Sequence, residues 1–193
     1  PLARIRHDVQ GMHAYAVQDS RGLIKLDAME NPHCLPPALQ AELGQRLGQV
    51  AINRYPGERI DALRTALLGH ARPPAGWSLM LGNGSDELIL NIMLTYGTGA
   101  KFVVASPTFA MYGLQGRVAG AEMIDVPRLE DFQIDAAALK QAAAGPGVKV
   151  VFICTPNKPT GNTVPRDVTE EIIRSTGAIV VVDEAYGEFG GDS

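Results

Sequence analysis

From residue 79 onward, the sequence alternates short apolar runs with segments long enough to form helices. We predict strands at 78–81, 102–105, 121–126, 149–154 and 178–182, and helices at 85–96, 109–119, 135–144 and 166–175. Strands that alternate with helices of this length are typical of βαβ units, with right-handed connections and a mostly parallel sheet. The predicted fold class is therefore α/β, with helices on both faces of the sheet.

The part of the chain before residue 79 has a different pattern, and its residues 1 to about 35 are interpreted as an N-terminal arm. Residues 1–35 contain one strand candidate, at 23–26, and prolines punctuate their end. Helices are predicted at 37–47, with Pro37 in the first turn, and at 58–70. A polar turn that contains Tyr55 lies between these two helices.

Composition narrows the classes of protein to consider. The 193 residues suffice for one domain of typical size, and 46% hydrophobic with 20% charged residues is typical of a soluble globular protein. A net charge of −4 without any basic run argues against nucleic-acid binding. No apolar stretch reaches the roughly 18 residues that cross a bilayer. The two cysteines, Cys34 and Cys154, lack metal-ligand spacing, so we expect no metal site and a reducing, cytoplasmic setting.

Two motifs put polar residues where buried strands are predicted to end. Asp183 follows four apolar residues, and Asn157 follows the run that ends at Cys154. Ligands of open α/β sheets bind at the carboxyl ends of the strands, so both side chains are candidates for one crevice. Asp183 would suit the ring nitrogen of a planar cofactor, or else a helix cap or an ion pair. Asn157 would suit a ring oxygen, or else a turn in which it bonds its own backbone.

A glycine-rich segment, Gly82-Asn83-Gly84-Ser85-Asp86-Glu87, connects a predicted strand to a predicted helix. The unpaired N–H groups and the positive dipole at the start of a helix form an anion site, which would suit a phosphate. The alternative is a plain turn in which Asp86 and Glu87 favour the helix dipole. The segment is neither a P-loop nor the full dinucleotide fingerprint.

Two aromatic residues follow the predicted strand at 102–105. Phe109 could stack on a flat ring, or it could pack in the core. Tyr112 could belong to the core or to a pocket.

Taken in order, these segments resemble the fold-type I pyridoxal-phosphate aminotransferases. The resemblance covers nearly the whole chain. It rests on Glu30-Asn31-Pro32, Asn53-Arg54-Tyr55-Pro56, Gly84-Ser85-Asp86-Glu87, Pro107-Thr108-Phe109, Pro156-Asn157-Lys158-Pro159-Thr160-Gly161 and Asp183-Glu184-Ala185-Tyr186. The segment at 25–32 and the Arg-Tyr-Pro segment are most similar to the histidinol-phosphate aminotransferase subfamily.

The resemblance implies a role for each matching residue. Asp183 would hold the pyridinium nitrogen of pyridoxal 5'-phosphate, and Asn157 and Tyr186 would bond the ring hydroxyl oxygen. Phe109 would stack on the ring. Gly84, Ser85 and Asp86 would contact the cofactor phosphate. Tyr55 would reach the cofactor phosphate of the neighbouring subunit in a homodimer. Asn31 and Tyr15 would contact the substrate.

The resemblance also implies a domain arrangement and exposes two departures. Residues 1–50 would form the N-terminal arm and part of the small domain, and residues 51–193 an incomplete cofactor-binding large domain. Lys158 stands where relatives often have Asn, and we interpret it as a tolerated loop variant. The Schiff-base lysine of the family follows a Ser beyond the Asp-Glu-Ala-Tyr motif, and no lysine of this sequence has that context. We therefore expect the chain to be a fragment.

The implied activity belongs to the full-length parent protein. It is a transamination that interconverts histidinol phosphate plus 2-oxoglutarate with imidazole-acetol phosphate plus glutamate, in histidine biosynthesis. Alternatives are an aromatic aminotransferase, a threonine-phosphate decarboxylase of the same fold, or a non-catalytic cofactor-binding fragment. Small-molecule substrates and a cytoplasmic homodimer are the expected partners and setting.

Overall fold

The computed structural model describes residues 2–13, 19–26 and 28–191. The helices are α1 His7–Gln10, α2 Pro37–Gly48, α3 Glu58–Ala71, α4 Gly84–Tyr96, α5 Ala110–Ala119, α6 Ala136–Ala143 and α7 Arg166–Ser175. The strands are β1 Lys101–Ser106, β2 Glu122–Pro127, β3 Val148–Cys154 and β4 Ile179–Asp183. Short 3-10 turns occur at Leu2–Arg4 and Gly187–Phe189. No helix in the described ranges has the length and apolar character needed to cross a membrane.

The four strands form one parallel sheet in the order β2-β1-β3-β4. The chain runs from β1 to β2 on one side and then crosses to β3 on the other side of β1. This reversal makes the gap between the carboxyl ends of β1 and β3 a topological switch point, where open α/β sheets bind ligands. The predicted α/β class with a mostly parallel sheet is confirmed.

Apolar side chains cover both faces of the two central strands, as expected for a buried parallel sheet. On one face, Phe102 and Phe152 pack with residues of α4 and α5, including Met93. On the other face, Val103 and Val151 pack with residues of α6 and α7. The alternation of side chains along β1 and β3 therefore builds two cores, and the helices lie on both faces as predicted.

Close helix–sheet packing at α5 depends on one glycine. Gly116 is buried on α5, and a Cβ atom there would overlap with the Sδ atom of Met123 on β2. The missing side chain lets α5 approach the sheet. This approach fixes the position of Tyr112, one turn earlier on the same helix.

The contacts within the chain divide it into two compact units. One comprises residues 1–11 and 81–193 and contains the sheet, and the other comprises residues 12–80 and contains α2 and α3. Both helices begin close to the predicted positions. The functional division predicted at residue 50 stays a prediction.

Two predicted strands are wrong. Residues 23–26 and 78–81 have no strand assignment. A strand needs a partner for its N–H and C=O groups, and neither segment pairs with another part of the chain that the structure describes. An apolar pattern alone therefore did not suffice to make these residues strands.

Candidate active site

A small cavity lies at the carboxyl edge of the sheet, at the switch point. Its volume is about 80 Å³. The lining residues come from the start of α4, from the ends of β3 and β4, and from the segments after β1, β3 and β4. They are Ser85, Phe109, Cys154, Lys158, Asp183, Ala185 and Tyr186. The fold thus brings together four of the predicted site residues, Ser85, Phe109, Asp183 and Tyr186, with one residue that was interpreted as a loop variant, Lys158.

Asp183 ends β4, directly across from Cys154 at the end of β3. Its Oδ2 atom accepts a 2.7 Å hydrogen bond from the hydroxyl of Tyr112. Its Oδ1 atom accepts a 3.2 Å bond from the backbone N–H of Ala185. A carboxylate has about four lone-pair sites, so Asp183 can still accept a further donor from the cavity.

Tyr112 holds that carboxylate from within the core. Its side chain is buried, with a ring that stacks on Phe152 at a centroid distance of 4.8 Å and an interplanar angle of 21°. Phe109 meets the same ring edge-on at 5.6 Å. Burial is the main cause that raises the pKa of Tyr112, followed by its interactions with Cys154 and Asp183. Tyr112 therefore stays protonated and acts as a donor.

The sequence pattern did not decide whether Tyr112 belongs to the core or to a pocket, although it contained a signal for the role of this residue. Phe109 is the N-cap of α5, and Tyr112 follows it by three residues. Residues three apart share one face of a helix, so an aromatic pair at this spacing after a strand end can reach one crevice. Cys154 lies beside Tyr112, and burial raises the pKa of its thiol.

Asn157 is fully buried, and protein groups occupy its side-chain amide. Its Oδ1 atom accepts from Thr108 Oγ1 at 2.8 Å and from Arg128 Nη2 at 3.0 Å. Its Nδ2 atom donates to the Pro107 carbonyl at 3.0 Å and to Thr160 Oγ1 at 2.6 Å. The amide thereby joins the loop after β1 to the loop after β3. The predicted bond from Asn157 to a ring oxygen stays a prediction. It would require one N–H of Nδ2 to be shared between its protein acceptor and the ring oxygen.

Arg128 also contributes to the site, although the sequence pattern did not single it out. It follows β2, donates from Nε to the Ala105 carbonyl at 3.0 Å, and donates from Nη1 to the Phe132 carbonyl at 3.0 Å. Burial lowers the pKa of its guanidinium. With its bond to Asn157, this side chain connects the end of β2 to the loops around the cavity.

The start of α4 is the segment predicted to bind the cofactor phosphate. Gly84 is its first residue and has a φ of +78°, a conformation that favours glycine. The Glu87 carboxylate accepts from the backbone N–H and from Nδ2 of Asn83, at 2.5 and 3.0 Å, which fixes the entry to the helix. Ser85 lines the cavity, whereas Gly84 and Asp86 are exposed and do not line it.

The other predicted site residues lie elsewhere in the chain. Asn31 is exposed and accepts the backbone N–H of His33 at 2.9 Å. Tyr55 is 99% exposed in the turn before α3. Both belong to the unit of residues 12–80. Tyr15 lies outside the described residues, so its predicted role is untested.

Lys158 extends into the cavity. Its Nζ atom lies over the ring of Phe109, 5.3 Å from the centroid, in a cation–π contact. Among residues 2–13, 19–26 and 28–191, no group of three or more His, Cys, Asp or Glu side chains could hold a metal ion. The cavity thus combines the Asp183 carboxylate, the Lys158 ammonium, the ring of Phe109 and the start of α4.

Fold and site together define an open parallel α/β protein with a polar crevice at the carboxyl edge of its sheet. The family model described as aminotransferase class I and II matches residues 21–193. The chain therefore belongs to the class I and II aminotransferase family.

Curated relatives and solved structures agree with this membership. A histidinol-phosphate aminotransferase of Methylibium petroleiphilum is 50% identical over 97% of this chain and 52% of its own length. A second one, of Polaromonas naphthalenivorans, is 47% identical over 98% of this chain and 53% of its own length. The chain thus spans about half the length of the curated relatives it matches.

Two crystal structures show the same fold. A protein of Erwinia carotovora atroseptica, assigned as a candidate histidinol-phosphate aminotransferase, matches with a TM-score of 0.77 and 31% identity over 93% of this chain and 52% of its own. The histidinol-phosphate aminotransferase of Sinorhizobium meliloti, solved with pyridoxal-5'-phosphate, matches with a TM-score of 0.78 and 21% identity over 96% and 52%. The predicted fold-type I arrangement is confirmed.

Proposed function

We propose that the longer protein to which this chain corresponds is a pyridoxal-phosphate-dependent aminotransferase that interconverts histidinol phosphate plus 2-oxoglutarate with imidazole-acetol phosphate plus glutamate. Family membership and the names of relatives at 47% and 50% identity support this activity. The observation that carries it is the position of Asp183, whose carboxylate meets Phe109 and Ser85 at one cavity.

The residues of the cavity fit this cofactor chemically. Asp183 retains acceptor capacity for a protonated ring nitrogen, because the described structure gives each of its oxygens one donor. Phe109 offers a ring face, and Ser85 stands in the first turn of α4, where N–H groups favour a phosphate. When bound, pyridoxal phosphate supplies an electron sink for the reacting substrate.

Each side chain would then have a distinct task. Asp183 keeps the proton on the ring nitrogen, because a carboxylate next to a cationic group favours its charged form. Tyr112 is a positioning residue, since its hydroxyl fixes the orientation of that carboxylate. Asn157 positions the two loops that carry Phe109 and Lys158. Ser85, with the backbone of Gly84 and Asp86, would bind the phosphate group.

Further proposals concern groups outside the cavity. Asn31 and Tyr15 would contact the substrate, Tyr186 would bond the ring hydroxyl oxygen, and Tyr55 would reach the cofactor phosphate of a second subunit. The proposed assembly is accordingly a homodimer, and the proposed location is the cytoplasm. The exposed tyrosine ring at position 55 is consistent with a contact to another chain.

The test is an amino-donor panel with the full-length protein loaded with pyridoxal phosphate. Glutamate formation from 2-oxoglutarate is measured with histidinol phosphate, with phenylalanine and with threonine phosphate, and release of carbon dioxide is measured with the last. We expect kcat/KM for histidinol phosphate to exceed that for phenylalanine by at least about 100-fold, as for a site built to bind a phosphate. A preference for phenylalanine, or release of carbon dioxide, would replace the proposal by one of the alternatives of the same fold. No reaction with any donor would contradict it.

A further inference from the structure

We propose that Lys158 is a cofactor ligand, whose ammonium group binds the ring hydroxyl oxygen of pyridoxal phosphate. This inference rests on the proposed function and concerns one side chain that the sequence pattern assigned to loop variation. This protein then binds the oxygen through a positive charge. That charge would tune both the affinity and the titration of the cofactor.

The position of Lys158 is fixed by the loop that carries it. The backbone N–H of Asn157 donates to the Asn162 carbonyl at 2.8 Å, and the backbone N–H of Gly161 donates to the Asn157 carbonyl at 2.7 Å. The buried amide of Asn157 attaches this loop to Pro107 and Thr108. The backbone at Lys158 is therefore held at the mouth of the cavity, and its side chain extends across Phe109.

The ammonium of Lys158 is available to a ligand. In the part of the chain that the structure describes, it forms neither an ion pair nor a hydrogen bond. Its one contact given there is the cation–π contact with Phe109, at 5.3 Å from the ring centroid. Because the ammonium lies over the Phe109 ring, a planar ligand that stacks on this face would displace it toward the ligand's edge. By contrast, both donors of the neighbouring Asn157 amide already bond protein oxygens.

The chemistry of the cofactor indicates which of its polar groups Lys158 would bind. Asp183 complements the ring nitrogen, and the start of α4 complements the phosphate, so the aldehyde and the ring hydroxyl oxygen remain. Of these two, the hydroxyl oxygen is acidic and carries negative charge when deprotonated, which a cation stabilises. Lys158 is the cationic side chain among the lining residues. Tyr186 also lines the cavity and can add a neutral donor beside it.

A cation at this oxygen has a measurable consequence. It disfavours the protonated form of the bound cofactor, and it therefore lowers the pKa at which the cofactor's absorbance changes. The other titratable groups that face the same space are Asp183, Cys154 and Tyr186, with Tyr112 beneath them. A substitution of Lys158 leaves all four in place, so a shift in the titration reports on the ammonium.

The experiment compares Lys158→Met with the parent in the full-length protein. Equilibrium dialysis with pyridoxamine phosphate measures affinity without a covalent link, and an absorbance titration of the pyridoxal-phosphate-loaded protein measures the pKa of the bound cofactor. We expect Lys158→Met to weaken pyridoxamine phosphate binding by roughly tenfold or more, since charge-assisted hydrogen bonds are strong. The same substitution should raise the pKa of the bound cofactor by about one unit or more.

Two further variants make the result specific. Lys149→Met is the matched control, because Lys149 is an exposed lysine of the preceding strand β3 and does not line the cavity. It should leave both readouts unchanged, whereas Lys158→Arg should restore the low pKa of the cofactor. Equal affinity and equal pKa in Lys158→Met and the parent would overturn the role of Lys158 while the proposed function stands. Failure of the parent to bind either form of the cofactor would instead overturn the proposed function.

Discussion

The hydroxyl of Tyr112 donates a 2.7 Å hydrogen bond to Oδ2 of Asp183, a residue 71 positions later in the chain. The bond joins the helix after β1 to the end of β4, and so spans the switch point of the sheet. Because the ring of Tyr112 is clamped between Phe109 and Phe152, the donor has little freedom to move. The orientation of the Asp183 carboxylate is therefore set by the aromatic core.

Replacement of Tyr112 by Phe removes this donor and keeps the ring. We expect the free energy of unfolding to fall by about 1 to 2 kcal/mol, since the carboxylate loses one hydrogen bond but can recruit water. Urea denaturation measures the change. Tyr96→Phe is the control, because Tyr96 packs against the same core and forms no hydrogen bond with the described residues. Equal losses in both variants would show that the bond to Asp183 contributes nothing.

The same tyrosine predicts a stability difference at alkaline pH. Its pKa is raised above the ordinary value of 10.0 in the folded state. Above pH 10 the unfolded chain releases the proton while the folded chain keeps it, so the contribution to stability is present below pH 10 and is lost as pH rises. The advantage of the parent over Tyr112→Phe should shrink by about 1.4 kcal/mol per pH unit there. Parallel stability curves for the two proteins between pH 9 and pH 11 would contradict the raised pKa.

Phe109→Ala tests the stacking face of the cavity. Loss of the ring should weaken pyridoxamine phosphate binding by about 0.5 to 1.5 kcal/mol for the aromatic pair, plus the lost burial. Isothermal titration calorimetry of the full-length protein gives the value. Phe189→Ala is the matched control, since Phe189 is 81% exposed in the short turn after β4. An unchanged affinity in Phe109→Ala would mean that Phe109 serves only the core.

Asn157→Ala should act on the fold more than on the chemistry. It leaves the Arg128 guanidinium, the Thr108 hydroxyl and the Pro107 carbonyl without their shared partner in a part-buried place. A loss of about 2 to 4 kcal/mol in the free energy of unfolding follows from such unpaired groups. Gln141→Ala, at an exposed position of α6, should stay within about 0.5 kcal/mol of the parent. Wild-type stability in Asn157→Ala would refute the linking role of the amide.

Local patterns predicted much of this architecture because they determine it. The β-branched runs at 149–154 and 178–182 became β3 and β4, and the position of Asp183 at a strand end followed directly. Long-range relationships were not predictable in the same way. The burial of Asn157 and its bond to Arg128 depend on which loops the sheet order brings together. No local signal separates a solvated Lys158 from one that extends over Phe109.

The most direct test of the account is the protonation state of the cofactor's ring nitrogen. Pyridoxal phosphate labelled with ¹⁵N at that atom is bound to the full-length protein, and the ¹⁵N chemical shift is followed by NMR from pH 6 to pH 9. We expect a protonated nitrogen throughout for the parent and an unprotonated one for Asp183→Asn. Transamination in that variant should fall by about 10²-fold or more, as when a group that stabilises transition-state charge is removed. Asp125→Asn, on the exposed edge of β2, should behave like the parent in both measurements. An unprotonated ring nitrogen in the parent at neutral pH would contradict the account.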